Sequence, residues 1–277
     1  DLVSKRIREI ENMPMNWRDE DIAMALYFEV DVGREFMDEV YGEERISMAH
    51  IKYDGLDGYG WSFSKDTVLN VGIGCPRNII KKLKSEKKGW SERKYLLDYV
   101  ETLKEQGWFP KDIEIDRKMI SGANIPVGMG MSCTVGDRMM VVGDAGGFVS
   151  PLSGEGLYYA LDSGRLAAES LDVLFSEGNF KKQDLMHYHR AWSSKWGDDL
   201  EWLKVGWHLL MVMPNSLIKY AALDEETKEF FTHMFVGSMP AAKIKNKVLA
   251  LIAKGVLKHE VLSLMTGNKQ TVPELVS

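Results

Sequence analysis

The stretch Val141 to Ser170, VVGDAGGFVSPLSGEGLYYALDSGRLAAES, constrains this chain more than any other. It runs from apolar β-formers, through a polar glycine-rich loop, into a segment of good helix formers. Gly143 has no Cβ where a strand would end, so a ligand can come close to the backbone. Asp144 follows as an acceptor suited to several hydroxyls and, being an anion, unsuited to phosphate. Pro151-Leu152-Ser153-Gly154-Glu155-Gly156 then opens a helix. The first N–H groups of a helix lack carbonyl partners and carry partial positive charge, which favours an anion or an electron-rich ring. Gly156, Ala160, Gly164 and Ala168 recur every fourth residue, a small-residue stripe fit for close packing on a sheet or a cofactor. A lone Gly-Asp pair would mean little. The pair, the turn and the stripe in one strand–loop–helix context point to a bound ligand.

Upstream, the pattern changes. Residues 22–32, 45–53, 59–64, 67–74, 112–122 and 138–144 read as strands, with Lys65-Asp66 turning a hairpin between the third and fourth. Helices are expected at 2–11, 34–42 and in two segments after Pro76. The better of these, 91–107, sets Tyr95, Leu96, Tyr99, Val100 and Leu103 on one face. A helix is expected to run to about Phe175, and everything beyond 182 reads as helical, with Pro214 and Pro240 as breaks. The fold class is therefore α+β: an antiparallel sheet with inserted helices, the second half of an α/β ligand-binding domain, and a helical C-terminal region. The corresponding divisions are 1–137, 138–178 and 179–277.

Within GYGWSFSKDTVLNVGIG (58–74), Tyr59, Trp61 and Phe63 alternate and share a strand face. Such a wall offers a large contact area with little polar demand, as a long apolar substrate needs. Periodicity alone favours an ordinary sheet core.

Val141–Ser170 resembles the second flavin motif of the FAD-dependent family that includes aromatic hydroxylases and geranylgeranyl reductases, the reductase version more closely. The resemblance implies FAD as cofactor, with Asp144 at its ribityl hydroxyls and Gly143, Ala145 and Gly146 also among the residues that bind it. It implies that Pro151, Gly154, Glu155 and Gly156 lie at the isoalloxazine ring, the last three presenting backbone N–H groups. Residues 59–72 are similar to the reductases' Tyr-x-Trp-x-Phe-Pro motif and the Asn-Val-Gly strand after it. That similarity implies a lipid-substrate pocket at Tyr59, Trp61 and Phe63. The chain departs from the motif at Ser64, where the family has proline, and at Asp66, where it has glycine. Residues 125–147 also resemble the family's approach to the Gly-Asp strand.

The activity implied is reduction of isolated C=C bonds in isoprenoid chains such as geranylgeranyl groups, in lipid biosynthesis. A flavin monooxygenase of an apolar or aromatic substrate is the alternative, and a non-catalytic lipid- or partner-binding remnant the third reading. No residue is assigned as proton donor, and the electron donor, NADPH or a ferredoxin-like protein, is left open. The family's Gly-x-Gly-x-x-Gly unit, which seats the FAD pyrophosphate, is expected in a preceding segment: Val127–Cys133 holds two glycines without the third, and the chain opens without methionine.

Composition excludes other classes. A net charge of -6 argues against general nucleic-acid binding. Two separated cysteines, Cys75 and Cys133, argue against a disulfide or zinc framework and for a reducing, cytoplasmic setting. His187 and His189 do not share a helix face, so no metal site is expected there. Asp198, Asp199 and Glu201 read as a solvated acidic face. No apolar run reaches spanning length. Residues 241–264 combine lysines with an apolar face. They read as a helix packed on its own domain, with peripheral membrane contact as the alternative.

Overall fold

The computed structural model describes residues 17–127 and 133–215, with isolated positions outside those ranges. The helix expected at 2–11, most of 127–133 and the basic segment 241–264 lie outside the described residues. The chain forms two compact units, one of Trp17–Pro126 and one containing Val127 onward.

The first unit is a five-stranded sheet in the order β2-β3-β4-β1-β5, antiparallel throughout. Its strands are β1 (Ile22–Asp31), β2 (Met48–Ile51), β3 (Tyr59–Ser64), β4 (Val68–Pro76) and β5 (Ser121–Pro126). The expected hairpin joins β3 and β4, closed by Lys65 N–H donating to Val68 O at 2.9 Å. Helices α1 (Arg34–Tyr41), α2 (Arg77–Glu86) and α3 (Glu92–Glu105) are inserted between strands. Ser91 caps α3 by accepting from Lys94 N–H at 3.2 Å.

One face of this sheet is the hydrophobic core. Phe28, Leu69, Val71, Ile73 and Cys75 meet Met37 and Tyr41 of α1 and the five expected residues of α3, all buried. Gly60 admits α3: a Cβ there would stand 2.7 Å from the Tyr99 ring. Ser62, fully buried, lies 2.7 Å from the Tyr41 hydroxyl. Tyr41 gives its only proton to Trp108 O at 2.7 Å, so Ser62 is the donor between them.

Two strands are shorter than expected. Residues 45–53 pair only over Met48–Ile51, because Arg45 and Lys52 both take φ 55°, which breaks the extended run at each end. Residues 112–122 pair only from Ser121. The Asp116 side chain accepts from Lys118 N–H at 2.9 Å and turns the chain through a 3₁₀ segment, Arg117–Met119. Ile113 and Ile115 still pack on the core, which accounts for their alternation.

In the second unit the expected strand 138–144 shrinks to β7 (Met139–Met140), half-buried and paired with β6 (Val135–Gly136). Gly143, at φ 57°, starts a 3₁₀ turn, Gly143–Gly146, and ends the extended run. Helix α4 (Leu157–Glu177) closes at Gly178, whose φ of 74° lets its N–H return to Leu174 O at 2.9 Å. Then come α5 (Lys182–Trp192), a π-turn (Ser193–Gly197) and α6 (Asp198–Val212). Among the described residues no helix is long and apolar enough to cross a membrane.

Beneath the glycine-rich loop, Phe148 lies 4.8 Å from both Trp192 and Trp196, which stack at 5.1 Å. Asp162, buried in α4, accepts from Lys195 at 2.8 and 2.9 Å, from Arg165 at 2.9 Å and from Trp196 Nε1 at 2.9 Å. Burial pushes its carboxyl up, but these bonds together hold it below the ordinary range. Asp199 is buried, unlike Asp198 and Glu201, so the acidic face expected there is not wholly solvated.

Candidate functional site

The sequence-predicted residues fall in two groups, one in each unit. In the first unit the three aromatics form a wall outside the core cluster that packs on the helices, with Trp61 itself buried. Tyr59, Trp61 and Phe63 project from the sheet face opposite the helices. Their ring centroids are 5.7 and 5.9 Å apart in sequence, the second pair stacked. The reason is the register: Tyr59, Trp61 and Phe63 stand opposite Gly74, Gly72 and Asn70 of β4, and opposite residues share a face. Two glycines make a flat seat. A Cβ on Gly72 would lie 2.2 Å from the Trp61 ring, and one on Gly74 3.4 Å from it. Trp61 Nε1 donates to Asn70 Oδ1 at 2.8 Å, which satisfies the indole's one donor and fixes its plane. Asn70 donates in turn to Glu29 at 2.9 Å, and Lys65 pairs with the same carboxylate. Trp61 is 8% exposed and Phe63 41%. Burial pushes the Tyr59 phenol up to about 12, so it stays protonated at any physiological pH.

The departures from the family motif have local uses. The Ser64 hydroxyl bonds to Arg45 O at 2.6 Å, a contact proline has no group to make. Asp66 pairs with Arg34 at 2.7 Å.

In the second unit, Gly143 to Gly156 forms a loop folded back on the first turn of α4. Gly143 packs against Ala160, where an added Cβ would lie 3.4 Å from the alanine methyl, and its N–H donates to Ser163 Oγ at 3.0 Å. Asp144 is exposed, and its Oδ1 lies 3.1 Å from the place a Gly156 Cβ would occupy. Ala145 is half-buried, and Gly146 sits so close over the Phe148 ring that a Cβ would be 2.9 Å from it. Pro151 and Leu152 lead to Gly154, at φ 73°.

Three backbone N–H groups were expected to face a ligand at this turn. Gly154 instead donates to Ser150 O at 2.9 Å and Glu155 to Ser153 Oγ at 3.3 Å. The free groups begin one residue later: Gly156 and Leu157 N–H donate to no described residue. Glu155 Oε1 accepts from Tyr158 N–H at 2.8 Å, and Oε2 is buried with no partner among the described residues. The turn therefore offers unbonded donors at a positive helix end beside an exposed carboxylate, chemistry suited to an anionic or carbonyl-bearing ring next to hydroxyls.

Of the small-residue stripe, Gly156 and Ala160 are packed under the loop. Gly164 has nothing within 4 Å of its Cβ position and Ala168 is exposed. His189 Nδ1 lies 3.2 Å from Thr134 Oγ1 and His187 Nδ1 3.4 Å from Ser170 Oγ, so both rings have local partners. Ser163 and the Phe148–Trp192–Trp196 support were not anticipated. Trp192 and Trp196 are four apart, a helix-face spacing that was the one signal available.

No protein-family model matches the chain. Curated relatives do. The chain is 34% identical over 176 residues to the digeranylgeranylglycerophospholipid reductase of Methanococcus aeolicus, covering 62% of this chain and 41% of the relative. It resembles digeranylgeranylglycerophospholipid reductases. The Methanocaldococcus jannaschii reductase of that name is 33% identical over 141 residues, 50% of this chain and 32% of its own length. A menaquinone reductase of Mycobacterium tuberculosis is 31% identical over 145 residues, 50% of this chain and 33% of its own. The chain thus spans less than half the length of each of these reductases. Among solved structures, a geranylgeranyl bacteriochlorophyll reductase-like protein of Thermoplasma acidophilum superposes with TM-score 0.58 at 21% identity, covering 71% of this chain and 45% of that one. A variant of a flavin-dependent brominase superposes with TM-score 0.50 at 16% identity, covering 83% and 55%. The resemblance to reductases read from the two motifs is borne out by the curated relatives, and the mixed helix and antiparallel-sheet architecture by the Thermoplasma structure.

Proposed function

We propose that this chain belongs to a flavin-dependent reductase that saturates C=C bonds of isoprenoid chains on lipids. One observation carries the reading: α4 begins with unbonded N–H groups at Gly156 and Leu157, directly beside the exposed Asp144 carboxylate. An FAD fits this donor and acceptor set. Asp144 would accept from ribityl hydroxyls, and the α4 N-terminus would stabilise negative charge on the ring. Gly143, Ala145, Gly146, Pro151 and Gly154 would line it, the glycines letting the backbone come close. When bound, the flavin supplies the hydride. The names of the relatives support an isoprenoid substrate. The rigid aromatic face of Tyr59, Trp61 and Phe63 suits a long chain that offers no hydrogen bonds, holding it extended and excluding water.

The test uses the full-length protein. Bound flavin is read from its visible absorption. The flavin is then reduced chemically under anaerobic conditions and mixed with an unsaturated isoprenoid lipid. Reoxidation with a gain of two hydrogens per double bond is expected. Reoxidation only on admitting oxygen means a monooxygenase, and absence of flavin means a non-catalytic binding chain.

A further inference from the structure

We propose that the exposed face of α2 and the turn into α3 form the surface by which this protein docks on an anionic membrane, against phosphate headgroups. The proposal rests on the lipid-substrate reading above. Residues 77–94 carry eight Lys and Arg against two Glu, in a chain whose net charge is -6. Local structure turns those cations outward. Ile80 is buried, and Ile79 and Leu83 pack on the core, which leaves Lys81, Lys82 and Lys84 exposed on the other side of α2. Lys87 and Lys88, in the turn before Gly89, are exposed, and so are Arg93 and Lys94 in the first turn of α3.

Pairing within the chain does not use up this charge. Arg77 and Lys81 share the one carboxylate of Asp19, Lys84 takes Glu92, and Lys94 lies 2.6 Å from Asp98. Lys82, Lys87, Lys88 and Arg93 form no ion pair among the described residues, and Glu86 is the one further carboxylate in the segment. An anionic bilayer repels a chain of net negative charge unless a basic face leads, and each Lys or Arg near such a surface strengthens binding by about fivefold. The chemistry favours a bilayer over an acidic protein. Six of the eight cations are Lys, compact hydrated charges suited to a diffuse field. A protein interface draws instead on Arg and on exposed aromatic anchors. Trp90, the aromatic of this turn, packs inward on Tyr95 and the core. The position also suits a lipid substrate. Gly74, opposite Tyr59 in the aromatic wall, stands three residues before Arg77, so α2 leaves the sheet at the Tyr59 end of the wall.

The experiment uses the full-length protein and cosedimentation with phosphatidylcholine vesicles, with and without phosphatidylglycerol. Wild type is expected to bind only the vesicles that contain phosphatidylglycerol, and to leave them at about 1 M salt, where charges are screened beyond about 3 Å. Lys82→Gln/Lys87→Gln/Lys88→Gln/Arg93→Gln is expected to bind on the order of tenfold to a hundredfold more weakly. Its counterpart Lys111→Gln/Arg117→Gln/Lys118→Gln/Lys182→Gln removes equal charge from exposed positions elsewhere and should bind as wild type does. Melting temperatures check that both fold. Should the first fold poorly, Lys87→Gln/Lys88→Gln in the turn alone must show a loss in the same direction. A patch variant that binds like wild type, or a counterpart that loses as much, overturns the proposal. So does a wild type that ignores both vesicles; if the patch variant then takes electrons more slowly from an acidic protein donor, the face serves a protein instead. Turnover is measured separately on isoprenoid lipid dispersed in neutral detergent. Vesicle binding without turnover leaves the docking surface standing and refutes the reductase reading, and turnover without vesicle binding does the reverse.

Discussion

Gly72 is where the aromatic face is most easily broken. It sits in β4, between β3 and β1, with Trp61 opposite on one side and Tyr27 on the other. In Gly72→Ala the new methyl would lie 2.2 and 2.5 Å from two atoms of the Trp61 ring and 2.7 Å from Leu26 O. The Leu26 carbonyl belongs to the β1 backbone and cannot retreat, so the indole must leave its seat and give up its 2.8 Å bond to Asn70. Overpacking of this kind costs about 1–3 kcal/mol. The lost hydrogen bond adds about 1 kcal/mol, for a total of about 2–4 kcal/mol. Denaturant unfolding of wild type, Gly72→Ala, Trp61→Ala and the double variant measures it. In the Trp61→Ala background the ring clash is gone and only the Leu26 contact remains. The two substitutions should therefore be coupled by about 1–2 kcal/mol, the alanine being better tolerated without the indole. If Gly72→Ala is within about 0.5 kcal/mol of wild type, or costs the same in both backgrounds, the glycine seat is not what holds Trp61.

Other outcomes follow from single residues. Asp162→Asn removes the acceptor shared by Lys195, Arg165 and Trp196 and should destabilise by about 2 kcal/mol, less than for a fully buried pair because both cations are partly exposed. The wild-type carboxyl titrates below its ordinary value, so its contribution is present above the unfolded value and lost as pH falls through the folded one. A pH series of melting temperatures for both proteins checks this. Burial holds the His50 imidazole, 2.7 Å from the Tyr99 hydroxyl, below its usual pKa. The unfolded chain then binds more protons below the ordinary value, so stability is full above it and falls as pH drops through it. His50→Phe should remove that share of the acid sensitivity, measured by denaturant unfolding between neutral and mildly acid pH. Burial, with the charges of Glu92 and Asp57, pushes the Cys75 thiol up to about 12. At pH 8 the folded protein should therefore give one thiol to a maleimide, Cys133, and the second only in denaturant. Mass spectrometry after digestion distinguishes the two sites.

How much was legible depended on how local the cause was. The helix 92–105 and its five core residues followed from spacing alone, because a helix face is set by 3.6-residue geometry whatever it packs against. The β3–β4 hairpin, and the sharing of one face by Tyr59, Trp61 and Phe63, followed from a period of two. The turn chemistry at Asp116 and the left-handed residues Arg45 and Lys52 were hidden, since a side chain capping its own backbone leaves no periodic mark. Which face of the sheet is core was also hidden. Gly60 and Ser62 carry no hydrophobic signal, yet they line the core because Tyr99 and Tyr41 arrive there from distant helices.

The ligand loop divides the same way. The sequence by itself determined that Gly143 to Gly156 is a glycine-rich approach to a helix with a carboxylate at its start, because backbone freedom and N-terminal polarity are properties of the local chain. Only the tertiary structure decided which groups are left for a ligand. Ser150 and Ser153 use up the N–H groups of Gly154 and Glu155, and Tyr158 takes one oxygen of Glu155. What remains is the pair of donors at Gly156 and Leu157 beside the exposed carboxylate of Asp144. Hydrogen-bonding capacity is finite, and which partners consume it is settled only when the chain has folded.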